Sequence, residues 1–165
     1  MWFLLGFIGM VLGGLYGWFY YGPGVSGFVG MIVFGVCGAA FLGWVMKDAA
    51  EAVDVSEERV FLISIITAVL AAILSSRGDA PVREVWLSIY LALVGGTGVA
   101  IHPKWALGGA VAGFVFGSID AGYLLWKESL QAFPEAVSLV LRSMIFLGLL
   151  APTSWATYHH VWGKK

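Results

Sequence analysis

Six long apolar stretches restrict the fold of this chain more than any other feature. They cover residues 2–20, 25–46, 60–75, 85–101, 105–126 and 136–151. A helix of about 20 apolar residues crosses the hydrocarbon core of a bilayer, because it satisfies all its backbone hydrogen bonds internally. The pattern therefore predicts an all-α integral membrane protein with six transmembrane helices, in which residues 1–165 form a single membrane domain.

The composition supports a membrane protein and excludes several other classes. Hydrophobic residues make up 60% of the chain and charged residues only 12%, whereas soluble domains carry about 25% charged residues. A net charge of −1 gives no basic surface for nucleic acid. The single cysteine, Cys37, excludes an intramolecular disulfide. No basic segment precedes the first apolar stretch and no cleavage pattern follows it, which predicts a retained helix rather than a signal peptide.

Glycine, proline and polar residues mark the breaks between the stretches. Gly22-Pro23-Gly24 predicts a tight hairpin, and His102-Pro103 predicts a second break, because proline restricts the residue before it. Ser56 is placed to cap the third helix with its hydroxyl. Residues 47–59 and 127–135 are predicted to be polar loops.

The chain contains an internal repeat. Shifting residues 11–45 by 82 positions onto 93–127 gives ten identities in 35 positions without a gap. The identical pairs are Gly13/Gly95, Gly14/Gly96, Gly27/Gly109, Val29/Val111, Val33/Val115, Phe34/Phe116, Gly35/Gly117, Ala39/Ala121, Leu42/Leu124 and Trp44/Trp126. Such self-similarity is typical of a duplicated unit.

The repeat predicts an inverted architecture. Repeat A covers about residues 1–80 and repeat B about 81–152, and residues 153–165 form a short tail. Three crossings per repeat is an odd number, so the second repeat enters the membrane from the opposite side and gives a 3+3 inverted repeat. The match is clear for the first two helices of each repeat, but only order and spacing relate the third and sixth helices.

Glycines recur every four positions and allow two interpretations. They are Gly9, Gly13 and Gly17, then Gly35 and Gly43 with Ala39 between them, then Gly109, Gly113 and Gly117 followed by Ala121. The structural interpretation is close helix packing within the bundle or an oligomer. The functional interpretation is space for a permeation path or a hinge, for which the pairs Gly13-Gly14 and Gly95-Gly96 are the candidates.

Two charged residues lie inside predicted spans. Asp120 precedes Trp126 by six residues and Arg142 follows Ala136 by six, so both are expected about 9 Å inside the boundary, at a similar depth. Three interpretations stay open: an ion pair that locks two helices, a polar site for an ion or small solute, or a contact with a partner protein. Tyr90 and Ser118 are the further candidates for the polar site.

The histidines and hydroxyls predict no chemistry. His102 lies at a membrane edge, and His159 and His160 follow the sixth span, without the spacing of a metal site inside a span. They are therefore expected to be solvated. No histidine in a span can activate Ser118 as a nucleophile. We expect no catalytic residue, no metal site and no cofactor.

The sequence favours a small channel or transporter, with its path between the two repeats and Asp120 and Arg142 in the polar site. The alternative is a non-catalytic structural or substrate-binding subunit of a larger membrane complex. The expected partners are the lipid bilayer and, through glycine-rich helix faces, further copies or other membrane subunits, but no nucleic acid. Positive charges number five on the side of the termini and three on the other, which predicts cytoplasmic termini. The five are Lys47, Arg59, Lys104, Lys164 and Lys165.

Overall fold

The structure, a computed structural model, describes residues 1–76, 81–128 and 132–163, and these form helices without a strand. In chain order they are α1 (Trp2–Tyr21), α2 (Val25–Ala40), a π-helical turn (Phe41–Val45), α3 (Met46–Val53), α4 (Glu57–Ser75), α5 (Val82–Ile101), α6 (Pro103–Glu128) and α7 (Phe133–Trp162). The segment from α2 through the π-helical turn to α3 is one continuous helical span, Val25–Val53.

Six helical spans in the described part of the chain are long and apolar enough to cross a membrane. They are α1, Val25–Val53, α4, α5, Pro103–Lys127 within α6, and α7. This confirms the prediction of an all-helical chain with six helices that could span a membrane, as a multi-pass membrane protein requires. The spans alternate in direction, so the two ends of the chain lie at the same end of the bundle.

The backbone reverses where glycine and proline predict it. Gly22 and Gly24 have φ values of 77° and 125°, which residues with a Cβ rarely adopt. The chain therefore turns between α1 and α2 within three residues. Pro103 is the first residue of α6, where its missing N–H leaves no helical hydrogen bond unmade. Ser56 occupies the N-cap position of α4, but its hydroxyl makes no capping hydrogen bond, so that part of the prediction was wrong.

Two segments are more helical than the sequence predicts. The predicted loop 47–59 contains most of α3, which ends at Asp54 in the left-handed conformation. The predicted tail 153–165 continues α7 as far as Trp162. Pro152 lies inside this helix and does not end it. One residue further on, the Thr153 hydroxyl donates a hydrogen bond to Leu149 O at 2.8 Å.

The described helices pair as antiparallel hairpins with α5 at the centre. α1 packs on α2, α4 on α5, and α6 on α7, and α5 also contacts α1 and α7. The buried face of α5 includes Leu93, Thr97 and Ile101, each no more than 1% exposed. By contrast, α6 contacts α7 extensively and α5 only slightly. The sixth span, α7, thus packs on both α5 and the peripheral helix α6.

Side-chain contacts connect the segments at one end of the bundle, which we name the terminal end. It comprises Met1, α3, His102-Pro103 and the last turns of α7. The Met1 ammonium lies 3.2 Å from Glu57 Oε2, and His160 Nδ1 lies 2.7 Å from Asp48 Oδ2. These contacts bring both chain ends to the start of α4 and to α3.

Glycines lie where helices of a hairpin approach most closely. A Cβ placed on Gly9 would lie 2.7 Å from Gly38 O on α2, and one on Gly117 would lie 2.9 Å from Val140 Cα on α7. No real Cβ tolerates such distances to backbone atoms. The α1–α2 and α6–α7 hairpins therefore require glycine at these positions, since only glycine lets the two backbones come so close.

Helix pairing does not follow the sequence repeat. The repeat relates α1 to α5 and α2 to α6, and would make α5 and α6 a hairpin like α1 and α2. Instead α5 packs mainly on α4, and α6 mainly on α7. The inverted repeat accordingly stays a prediction from the sequence.

Close glycine packing predicts a contrast between two alanine substitutions. Gly9→Ala should lower the free energy of unfolding by about 1–3 kcal/mol, because the new Cβ meets the carbonyl of Gly38. Gly108→Ala is the control, since no atom lies within 4 Å of its added Cβ. It should be neutral or stabilising by up to about 1 kcal/mol through helix propensity. Unfolding of the purified protein in detergent measures both, and equal effects would contradict this packing.

Because the spans alternate in direction, the breaks at Pro23 and Lys104 should lie on opposite sides of the membrane. Pro23→Cys and Lys104→Cys, each in a chain whose Cys37 is replaced by alanine, should react with a membrane-impermeant maleimide from opposite sides of the membrane. Labelling of both cysteines from one side would contradict the six-span topology.

Candidate functional site

The contact between α6 and α7 determines where Asp120 and Ser118 lie. Gly109, Gly113 and Gly117 form the stripe of α6 that meets α7. Asp120 follows Gly113 by seven residues and Gly109 by eleven, so it lies on the side of α6 that carries this stripe. Asp120 and Ser118 are nevertheless both exposed. The structure thus places them on the outer surface of α6 and not inside the bundle.

Arg142 lies on a different side of α7. It precedes Leu149 by seven residues and Thr153 by eleven, so the three share one helix face. Leu149 and Thr153 contact Gly95 and Gly98 of α5. Arg142 therefore lies on the face of α7 that turns towards α5, whereas α6 packs on another face. Arg142 is nevertheless exposed, because α5 does not cover that part of α7.

The structure does not bring Asp120 and Arg142 together. The ion pairs among the described residues do not include either side chain. Counting residues predicts a similar membrane depth for the two side chains. In the structure, the contact of Gly117 with Val140 and Ser143 keeps the two charges within about one helical turn in depth. The two side chains are instead separated by the directions in which they extend from the axes of α6 and α7.

An unpaired Asp120 is costly in a bilayer. A charged side chain near the bilayer centre costs roughly 2.5–3.5 kcal/mol when nothing compensates it. Arg142 has a long side chain that can reach the headgroups, but the carboxylate of Asp120 is held close to its helix. Asp120 is therefore the residue whose position most requires a contact from outside the described part of the chain.

Tyr90 packs against the first hairpin. It is partly buried on α5, and its ring lies 3.4 Å from the Cβ position of Gly38 on α2. Since α5 makes few contacts with α6, Tyr90 belongs to the packing between α5 and the first hairpin. Of the four residues predicted for one polar site, Asp120, Ser118 and Arg142 are thus exposed and Tyr90 packs between α5 and the first hairpin, and the site stays a prediction.

The glycine pairs predicted to be hinges lie within unbroken helices. α1 continues through Gly13-Gly14, and α5 continues through Gly95-Gly96. A Cβ on Gly95 would lie 2.7 Å from Leu149 Cβ, and one on Gly96 would meet the Thr67 hydroxyl. Close packing accounts for both positions in this conformation, and the hinge stays a prediction.

A buried hydroxyl cluster joins α4 to α5. Ser64 Oγ and Thr97 Oγ1 are 2.8 Å apart, and both residues are fully buried. Thr67 Oγ1 donates to Ala92 O of α5 at 2.9 Å. This cluster was not predicted, although hydroxyl residues one turn apart within an apolar span, such as Ser64 and Thr67, are the signal for it.

Histidines and tryptophans pack together at the terminal end. The ring centroids of His102 and Trp155 are 4.5 Å apart, and those of Trp155 and His159 are 5.3 Å apart. The Nδ1 atoms of His102 and His159 are buried without a hydrogen-bond partner. The expectation of solvated histidines does not hold, because the continuation of α7 past Pro152 carries Trp155 and His159 onto the break at His102.

The side-chain hydrogen bonds at the terminal end hold segments of the chain together. His160 contacts Asp48 and stacks edge-on against Trp44, so it ties the end of α7 to the continuous Val25–Val53 helix. In the described ranges no three His, Cys, Asp or Glu side chains form a group for a metal ion. Nor does any described serine or threonine donate to a histidine, as an activated nucleophile would.

Comparison of the chain with protein-family models, curated proteins and solved structures found no match. A function for this chain is therefore argued from its own residues, since fold class alone is poor evidence for function.

The hydroxyl cluster predicts a modest but specific loss of stability. Thr97→Val keeps the volume and removes the bond to Ser64, so it should lower the free energy of unfolding by about 0.5–1.5 kcal/mol. Thr157→Val is the matched control, since the Thr157 hydroxyl donates only to Thr153 O of its own helix. Thermal unfolding in detergent measures both, and a loss as large in the control would contradict a link between α4 and α5.

Proposed function

We propose that this chain is a non-catalytic subunit of a larger membrane complex and that α6 is its docking helix. The observation that supports this is the position of Asp120, exposed at membrane depth without an ion-pair partner in the described residues. A membrane-embedded partner, either a second copy or a different polypeptide, supplies the missing contact. Charged residues within membrane spans are typically paired in this way.

The peripheral position of α6 supports the same proposal. One stripe of α6 packs on α7, and most of the rest of its circumference is uncovered. Phe116 and Tyr123, which lie one turn before and after Asp120, are 61% and 62% exposed. An aromatic surface around a carboxylate offers a partner helix both packing area and a hydrogen-bond acceptor. The partner chemistry that fits is a helix carrying a cationic side chain or a hydroxyl at the depth of Asp120.

Transport of an ion or small solute is the second candidate. Asp120 is exposed on α6, and Arg142 is exposed on a face of α7 other than the one that packs on α6, which supports a path between associated chains better than one through a single chain. A path between associated chains remains compatible with an exposed carboxylate, which would contact a passing cation. In either case the excess of Lys and Arg that the sequence places on the side of the termini favours cytoplasmic termini.

Assembly through α6 predicts a charge-specific effect of Asp120→Leu. This variant should lose the complex in mild detergent and in native-membrane cross-linking, because the partner's polar group is left without its acceptor. The unfolding free energy of the released chain should not fall, since Asp120 makes no hydrogen bond within the described residues. Arg142→Gln is the control, because it removes a charge of similar depth from another side of α7, and it should leave the complex intact.

The outcomes separate the two candidates. If Asp120→Asn preserves the complex but changes solute flux into liposomes, transport between chains is the better interpretation. If the wild-type chain is monomeric in bilayers and Asp120→Leu alters neither its mass nor any flux, both candidates are wrong.

A further inference from the structure

A long groove follows one side of the α1–α2 hairpin, and we name it the α1–α2 groove. Two adjoining cavities of about 610 and 480 Å³ form it, and they share Met10. On α1 it extends from Trp2 to Leu15, and on the facing helix from Lys47 back to Met31. Volumes of this size are typical of sites for small organic ligands.

Missing side chains create the groove. Gly6 lies against Gly43, and Gly14 and Gly35 line the deeper part. The groove extends over 14 residues of α1, and their 13 steps span about 20 Å at 1.5 Å per residue. One leaflet of the hydrocarbon core is about 15 Å thick. The groove is therefore long enough to hold a lipid acyl chain of the leaflet next to the terminal end along its whole depth.

The end of the groove is polar, in contrast to its walls. Lys47 is the charged residue in the lining, and Trp2 lies beside it in the wall. Glu51 is one helical turn beyond Lys47, with Oε1 3.7 Å from Lys47 Nζ. That distance is longer than a hydrogen bond, and both side chains are about half exposed, so each can bind another group.

We propose that the α1–α2 groove binds a phospholipid with an amine headgroup. The acyl chain lies in the glycine-lined groove, the phosphate binds the Lys47 ammonium, and the headgroup ammonium binds the Glu51 carboxylate. Moving outwards from the membrane, the site presents an apolar groove, then a cation and then an anion. Such a lipid presents its acyl chain, its phosphate and its amine in the matching order.

The charge around the site favours an amine lipid over an anionic one. From Asp48 to Arg59 the chain carries five carboxylates and one cation, Arg59. The Met1 ammonium contacts one of these carboxylates, Glu57, at 3.2 Å, so the carboxylates remain in excess. A headgroup with net negative charge would meet these carboxylates, whereas an ammonium group is attracted to them. A helix from a second copy could also cover the groove, and cross-linking between copies tests that alternative.

Native mass spectrometry of the full chain tests the proposal, with phosphatidylethanolamine and phosphatidylglycerol as the two probes. Wild type should retain phosphatidylethanolamine more strongly. Lys47→Gln should weaken that retention about fivefold, the effect of one basic side chain at a membrane surface. Lys104→Gln is the matched control, because it removes an exposed lysine at the same end of the bundle, and it should change little.

Two further variants test the carboxylate and the groove separately. Glu51→Gln should shift the preference towards phosphatidylglycerol, because the repulsion of an anionic headgroup falls. Ala40→Leu should weaken retention of both lipids by filling the groove. Gly108→Leu, at a comparable distance from the terminal end on α6 and facing open space, should not. Unchanged thermal unfolding of Lys47→Gln and Glu51→Gln shows that these variants fold.

Three results would overturn the proposal. One is equal retention of the two lipids by wild type, and another is equal loss in Lys47→Gln and Lys104→Gln. The third is a cross-link between copies through a cysteine at Ala40, which would show that a protein covers the groove. None of these outcomes depends on Asp120, so the assembly proposed for α6 can fail while lipid binding holds.

Discussion

The requirement that every backbone hydrogen bond be satisfied without water governs this structure. It makes each apolar stretch a helix. The surrounding lipid removes most of the hydrophobic force between helices, because lipid is as apolar as a neighbouring side chain. The hairpins must then be held by close approach and by hydroxyl groups. Gly9 against Gly38 supplies the first, and Ser64 with Thr97 supplies the second.

These two kinds of contact explain where the bundle is closed and where it is open. α5 is buried because it receives hydroxyl contacts from α4 and close contacts from α7. α6 has a single glycine stripe and so stays at the periphery, with Asp120 exposed. The glycines that let α1 and α2 approach also leave the α1–α2 groove beside them. Both proposed binding surfaces therefore lie on the outside of the bundle, facing lipid or membrane partners.

The depth of a residue was predictable, but its direction was not. Counting along helices places Asp120 and Arg142 at similar depth, and their lack of contact follows from the sides of α7 on which they lie. Direction depends on which helices are neighbours, and the repeat suggested neighbours that the packing does not show. The same reason applies to Ser64 and Thr67, whose hydroxyls contact α5, a pairing that no local pattern predicts.

The sequence by itself determined the number of spans, the hairpin at Gly22-Pro23-Gly24 and the break at Pro103, because these depend on local backbone chemistry and on the length needed to cross lipid. The tertiary structure decided the pairing of helices, the continuation of α7 through Pro152 and the burial of the histidines at the terminal end. These outcomes depend on contacts between residues far apart in the chain, such as Asp48 with His160. A local pattern does not contain such contacts, since identical apolar stretches can pack in several arrangements.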